Sequence, residues 1–97
     1  MSTKDKDVKR LIEEGLGNVG RLKILRALAS GEAASQTKYG LGKVTGLSPV
    51  YVRKHLKVLV ETGWVKEYNY YPQVYTLNLD DFRAKLLFDF FKKVGYV

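Results

Sequence analysis

The chain has 97 residues, 45% of them hydrophobic, a formal net charge of +7 and no cysteine. This suits one globular domain with a single modest core, and it excludes a disulfide framework and any thiolate metal site. No apolar run approaches the ~20 residues of a membrane span, and no signal peptide is visible, so a cytoplasmic protein without membrane contact is expected. The basic balance favours a polyanionic partner, because each neutralised phosphate releases counterions.

Residues 1–7 are polar and are expected to fray. From Val8, the residues Val8, Leu11, Ile12 and Leu16 recur at helical spacing and predict a first helix, which Gly15 and Gly17 end or kink. Asn18 can cap a second helix reaching Ala29, with Leu22, Ile24, Leu25 and Leu28 as its buried arc and Gly31 as its close. Arg21, at the edge of that arc, is expected to pack and bond to nearby carbonyls. Ser30 to Thr37 reads as a loop. A short third helix, Lys38 to Thr45, carries Tyr39, Leu41 and Val44, and Gly46 makes the turn that follows it.

The stretch from Gly46 to Trp64 is the best-marked part of the chain. Ser48 is a good N-cap, Pro49 suits the first helical position, and Gly63 supplies a left-handed stop. At 100° per residue, Val52, Leu56, Leu59 and Val60 share one face. Val50, Tyr51, Lys54 and Lys57 take the other, with Arg53 on the flank. A helix about 10–12 Å across with such groups fits the major groove of DNA. His55 is the only histidine and too little for a metal site, so a packing or phosphate-contacting role is expected.

After Gly63 the period shifts to two. Trp64 to Asn69 and Val74 to Leu79 predict a hairpin joined by residues 70–73, with Tyr75, Leu77 and Leu79 on one face and Trp64 anchoring it to the core. Asp80 or Asp81 caps a last helix, spanning residues 80–95. Phe82, Leu86, Phe90 and Val94 follow one face, and Ala84, Leu87, Phe88 and Phe91 continue the apolar surface beyond half the circumference. Phe88 and Phe91 are expected on the outer side, so Phe82, Leu87, Phe88 and Phe91 are the candidate interface of a homodimer.

Helix, helix, helix-turn-helix, hairpin, helix is a winged helix-turn-helix order, mostly α with a small β-hairpin. The wording agrees. Arg21, Leu22, Ile24 and Leu25 resemble the second-helix core of ArsR-type repressors. Gly46-Leu47-Ser48, Val52, His55 to Leu59, Gly63 and Val65 resemble the same family's helix-turn-helix. The resemblance covers residues 16 to 80. It implies a homodimer that binds specific double-stranded DNA and regulates transcription, with groove contacts near Pro49, Val50, Tyr51, Arg53 and Lys54. Ser48, Lys57 and the wing residues Tyr70 and Tyr71 complete the expected DNA-contacting set. The wing lacks the arginine and glycine often found there, so its tyrosines must pack, stack or face a partner. No phosphate loop, paired carboxylates or Ser/His/Asp constellation is present, so neither an enzyme nor a cofactor or metal is expected. The alternative is a winged-helix module that contacts protein or RNA in a larger complex.

Overall fold

Among the described residues, five helices and three short strands follow one another: α1 (Thr3–Leu16), α2 (Val19–Ala29), β1 (Gln36–Thr37), α3 (Lys38–Thr45), α4 (Pro49–Glu61), β2 (Val65–Tyr68), β3 (Val74–Leu77) and α5 (Phe82–Lys93). The structure is a computed structural model and describes residues 3–30 and 36–97, with side chains from Val8 onward. Side-chain caps begin four of the helices. Asn18 Oδ1 accepts from the Gly20 and Arg21 amides at 2.8 and 3.3 Å. Thr37 Oγ1 accepts from Gly40 at 3.0 Å, Ser48 Oγ from Tyr51 at 3.4 Å and Asp81 Oδ1 from Arg83 at 2.8 Å. Each such cap is worth about 1 kcal/mol relative to alanine.

The core lies where α2, α3 and α4 meet over the sheet. Ile24, Leu25, Leu41, Val52, Leu56 and Leu59 are buried there, with Trp64, Val65 and Tyr75 from the hairpin. Trp64 Nε1 donates to the Leu11 carbonyl at 2.8 Å, which ties α1 to the end of α4. Gly15 lies against the same indole, and any side chain at that position would collide with it. The glycine therefore allows close packing and does not stop the helix, which continues to Leu16.

Several expectations are corrected. α1 starts at Thr3, within the stretch expected to fray. The sheet has three strands in the order β1-β3-β2, all antiparallel. Gln36 and Thr37, read as loop, pair with Tyr75 and Val74; Gly31 and the rest of that loop to residue 35 lie outside the described residues. The strands are shorter than expected. The Trp64 amide turns back to the Leu59 carbonyl at 3.0 Å, and Leu79 leaves the sheet and is exposed. On α3 only Leu41 is buried, since Tyr39 and Val44 project away from it at other angles.

The largest correction falls on α5. Ala84 and Phe91 are buried, and Leu87 and Phe88 pack partly buried against the core. These four follow i, i+3, i+4, i+7 spacing and form the inward stripe. Tyr96 seals it, meeting Phe91 edge-on with ring centroids 4.8 Å apart. Arg26 holds Tyr96 through its carbonyl at 2.8 Å and lies 5.0 Å from the ring centroid. Of the expected interface residues, only Phe82 is exposed. The outward stripe is Phe82, Leu86, Phe90 and Val94, each more than half exposed (71, 61, 57 and 58%).

Candidate nucleic-acid interface

The turn between α3 and α4 is fixed by its own hydrogen bonds. Gly46 adopts φ +75° and its amide donates to the Gly42 carbonyl at 2.9 Å. Thr45 Oγ1 donates to the Leu41 carbonyl at 2.6 Å and accepts from the Leu47 amide at 3.2 Å. Ser48 then caps α4, and Pro49 occupies its first turn without needing a partner for a missing N–H.

α4 divides its residues as the periodicity predicts. Val52, His55, Leu56 and Leu59 are buried, while Val50, Tyr51, Arg53, Lys54 and Lys57 are exposed, along with Ser48 and Pro49 at the start. Among the described residues, Arg53, Lys54 and Lys57 form no ion pair with a carboxylate; the pairs present are Arg10 with Glu14 and Glu61, Lys66 with Asp80, and Arg83 with Asp81. An uncompensated row of cations on an exposed face attracts phosphate. Lys54 Nζ lies 5.9 Å from the Tyr51 ring centroid, which holds both side chains near the helix start.

His55 supports this face from behind. Its ring stacks with Tyr51, centroids 6.2 Å apart and planes at 21°. It packs against Gly20 of α2, where an added Cβ would sit 2.6 Å from Nε2. Burial lowers its pKa, and the charges of Arg21 and Lys54 push in the same direction, so the imidazole is held neutral. Nδ1 is buried without a partner. Arg21 bonds to the Glu14 carbonyl, so it bridges helices, as its place beside the apolar arc predicts.

The wing is aromatic. Tyr68 and Tyr70 stack with centroids 5.7 Å apart, and Tyr70 and Tyr71 are exposed at the tip. The wing base is braced: Tyr75 is buried and donates to Glu67 Oε2 at 2.8 Å. Burial, then the Glu67 carboxylate, pushes the Tyr75 pKa up and keeps its hydroxyl a neutral donor. The α4 residues thus share one face, whereas Tyr70 and Tyr71 stand apart at the hairpin tip. On α3, Tyr39 and Lys43 are exposed, with the Lys43 ammonium 5.1 Å from the Tyr39 ring centroid. Among the described residues, no group of three or more His, Asp or Glu could hold a metal ion, and no helix is long and apolar enough to cross a membrane.

Comparison with known proteins agrees with this geometry. The family described as bacterial regulatory protein, arsR family, matches residues 18–67. HlyU from Vibrio cholerae is similar in structure, with a TM-score of 0.78, 22% identity and 97% of each chain covered. A homodimeric winged helix-turn-helix DNA-binding domain from Mycobacterium bovis, a possible ArsR-family transcriptional regulator, matches with a TM-score of 0.75 and 23% identity, over 98% of this chain and 87% of that one. The transcriptional repressor BigR from Xylella fastidiosa matches with a TM-score of 0.72 and 21% identity, over 97% and 96% of the two chains. At these identities the likeness is one of fold. No curated protein matches the sequence.

Proposed function

Since the chain belongs to the ArsR family of bacterial regulatory proteins and is a winged helix-turn-helix DNA-binding regulator, we propose that it acts as a homodimer in the cytoplasm, lays α4 of each protomer in the major groove and represses transcription from an inverted-repeat site. The observation that carries this reading is the outward face of α4, with Tyr51, Arg53, Lys54 and Lys57 exposed and its three cations paired with no carboxylate among the described residues. Tyr51 and Arg53 lie near the end of the helix that reaches base edges in helix-turn-helix docking. Ser48, Pro49 and Val50 bring that end close to the groove. Lys54 and Lys57 serve phosphates, and Tyr70 and Tyr71 touch the duplex beside the groove. The protein acts by binding, with no catalytic step, cofactor or metal.

The proposed dimer pairs through α5. Its exposed Phe82, Leu86, Phe90 and Val94 form an apolar stripe that a second copy on a two-fold axis would cover. The homodimeric state of the Mycobacterium bovis domain supports a homodimer, whichever surface forms it. Two recognition helices would then meet half-sites about one helical turn apart, roughly 34–36 Å.

Binding of duplex DNA, single-stranded DNA and RNA across a salt series tests the reading. Duplex preference with a steep salt slope is expected, near −0.9 per neutralised phosphate on a log–log plot. Preference for RNA or single strands, or a flat salt profile, would move the protein to the second reading, a winged module contacting RNA or protein. The aromatic wing with its exposed Tyr71 is the observation that favours that alternative.

A further inference from the structure

We infer that the cleft between α3 and the start of α4 binds a small aromatic carboxylic acid, and that the bound acid keeps α4 off DNA; the second half rests on the DNA-binding reading above. The cleft has a volume of about 360 Å³. Small-molecule sites span about 300–1,000 Å³ and are lined mostly by apolar groups, with a few polar ones that fix orientation. This cleft has that make-up. Its walls are mainly carbon, from the Tyr39 ring, Leu47 and Pro49, and Gly42 adds no side chain to fill it. Tyr39 is 73% exposed, so core packing does not account for an aromatic ring there.

The charge of the cleft has one sign. Lys38, Lys43 and Arg53 line it and no acidic side chain does. Lys38 is already engaged, since its Nζ donates to Gln73 Oε1 at 3.2 Å. Lys43 and Arg53 pair with no carboxylate among the described residues. Lys43 Nζ lies 5.1 Å from the Tyr39 ring centroid, so a cation and an aromatic ring stand side by side without the charge being neutralised. The fork of the Arg53 guanidinium can hold a carboxylate through two parallel hydrogen bonds.

Together the walls and the charge select the occupant. A phosphate strand would use the cations and leave the carbon walls uncovered. A neutral apolar molecule would cover the walls and leave the cations unanswered. An aromatic acid does both: its ring stacks offset on Tyr39 and covers Leu47 and Pro49, while its carboxylate meets Lys43 and Arg53. Pro49 and Arg53 are also residues that the DNA-binding reading lays against the duplex. An acid in the cleft occupies Arg53 and fills the space beside the helix start, so acid and duplex compete for the same side chains.

The test uses the full chain, 2-naphthoate as the probe and a short duplex of arbitrary sequence. Amide NMR follows titration with 2-naphthoate, with its neutral isostere 2-naphthamide and with acetate. Ionic strength is held constant, because duplex binding depends on salt. 2-Naphthoate should saturate, with shifts clustered at Gly42, Lys43 and Leu47. The amide should bind about tenfold more weakly, as loss of a charged hydrogen bond predicts, and acetate should not saturate. Lys43→Gln should weaken the probe about tenfold and Tyr39→Ala about fivefold, each variant checked for folding by thermal melting. At about ten times its Kd the probe should lower apparent duplex affinity of the wild type about tenfold. The same concentration should lower that of Tyr39→Ala only about threefold. Equal binding of acid and amide, shifts clustered on α5 instead, or probe affinity unchanged in both variants would overturn the proposal. So would a bound probe that leaves duplex affinity intact. A wild type that takes the probe in the cleft but binds no duplex would overturn the DNA-binding reading and the exclusion that rests on it, and uphold the acid site.

Discussion

α4 and α5 are helices of similar length, each begun by a side-chain cap and each burying one stripe against the same core. They differ in what they show to solvent. α4 presents Arg53, Lys54 and Lys57 with Tyr51, whereas α5 presents Phe82, Leu86 and Phe90. The first face is stable in water and waits for a polyanion. The second exposes apolar surface to water at a cost that covering it would remove. One fold thus carries two outward faces of opposite character, one cationic and one apolar.

The sharpest break in that contrast is within α5 itself, between neighbours. Phe91→Ala should cost about 3–5 kcal/mol in urea unfolding, because it opens a cavity beside Tyr96. Phe90→Ala should change monomer stability by no more than about 0.5 kcal/mol, as at an ordinary surface site. Equal losses from the two would erase the inward–outward division.

Phe90→Asp addresses the uncovered face directly. It should leave each protomer folded and split the dimer, because pairing would bury an unmatched carboxylate. Sedimentation velocity distinguishes the species, and affinity for an inverted repeat should fall with the dimer while half-site binding survives. A variant that stays dimeric would detach this stripe from dimerisation.

On α4 the effects are smaller and divide by residue. Arg53→Ala should relax discrimination at one base pair by about 1–3 kcal/mol if its contact is bidentate. Lys57→Gln should weaken every sequence alike, as loss of a phosphate contact does. Competition among single-base operator variants reads both, and an unchanged preference in Arg53→Ala would sink that assignment.

The smallest expected effect concerns the support behind α4. His55 has its pKa lowered from 6.5 by burial, then by Arg21 and Lys54. The unfolded chain therefore binds a proton that the folded chain resists. Stability from this site is complete above pH 6.5 and is lost as pH falls from there through the lowered folded value. Urea midpoints followed downward from neutral pH should show this slope, and His55→Gln should flatten it. Identical pH profiles would mean that other groups carry the dependence.

The two helices also explain what was legible in the sequence. α4 had punctuation at both ends, Ser48-Pro49 and Gly63, and a row of cations that marked its outer side. α5 had no such mark. With Phe82, Leu86, Leu87, Phe88, Phe90 and Phe91 around the axis, periodicity permits more than one buried stripe. The choice was made by Tyr96, folded back under Arg26, a contact 70 residues apart in the chain that no local pattern encodes. β1 was hidden for another reason, since two polar residues cannot display a period of two. On the candidate interface, the α4 residues were recoverable from angle and charge.

The only tryptophan of the chain sits where α1 leans on the end of α4, its indole N–H bonded to the Leu11 carbonyl and its ring flush against Gly15. That makes it a built-in optical probe of one joint. Its emission should be blue-shifted while α1 is docked and move to the red when that helix lifts away, even if the rest of the domain stays folded. Gly15→Ala would force the ring to yield, and the spectrum of that variant would register the strain before any melting curve did.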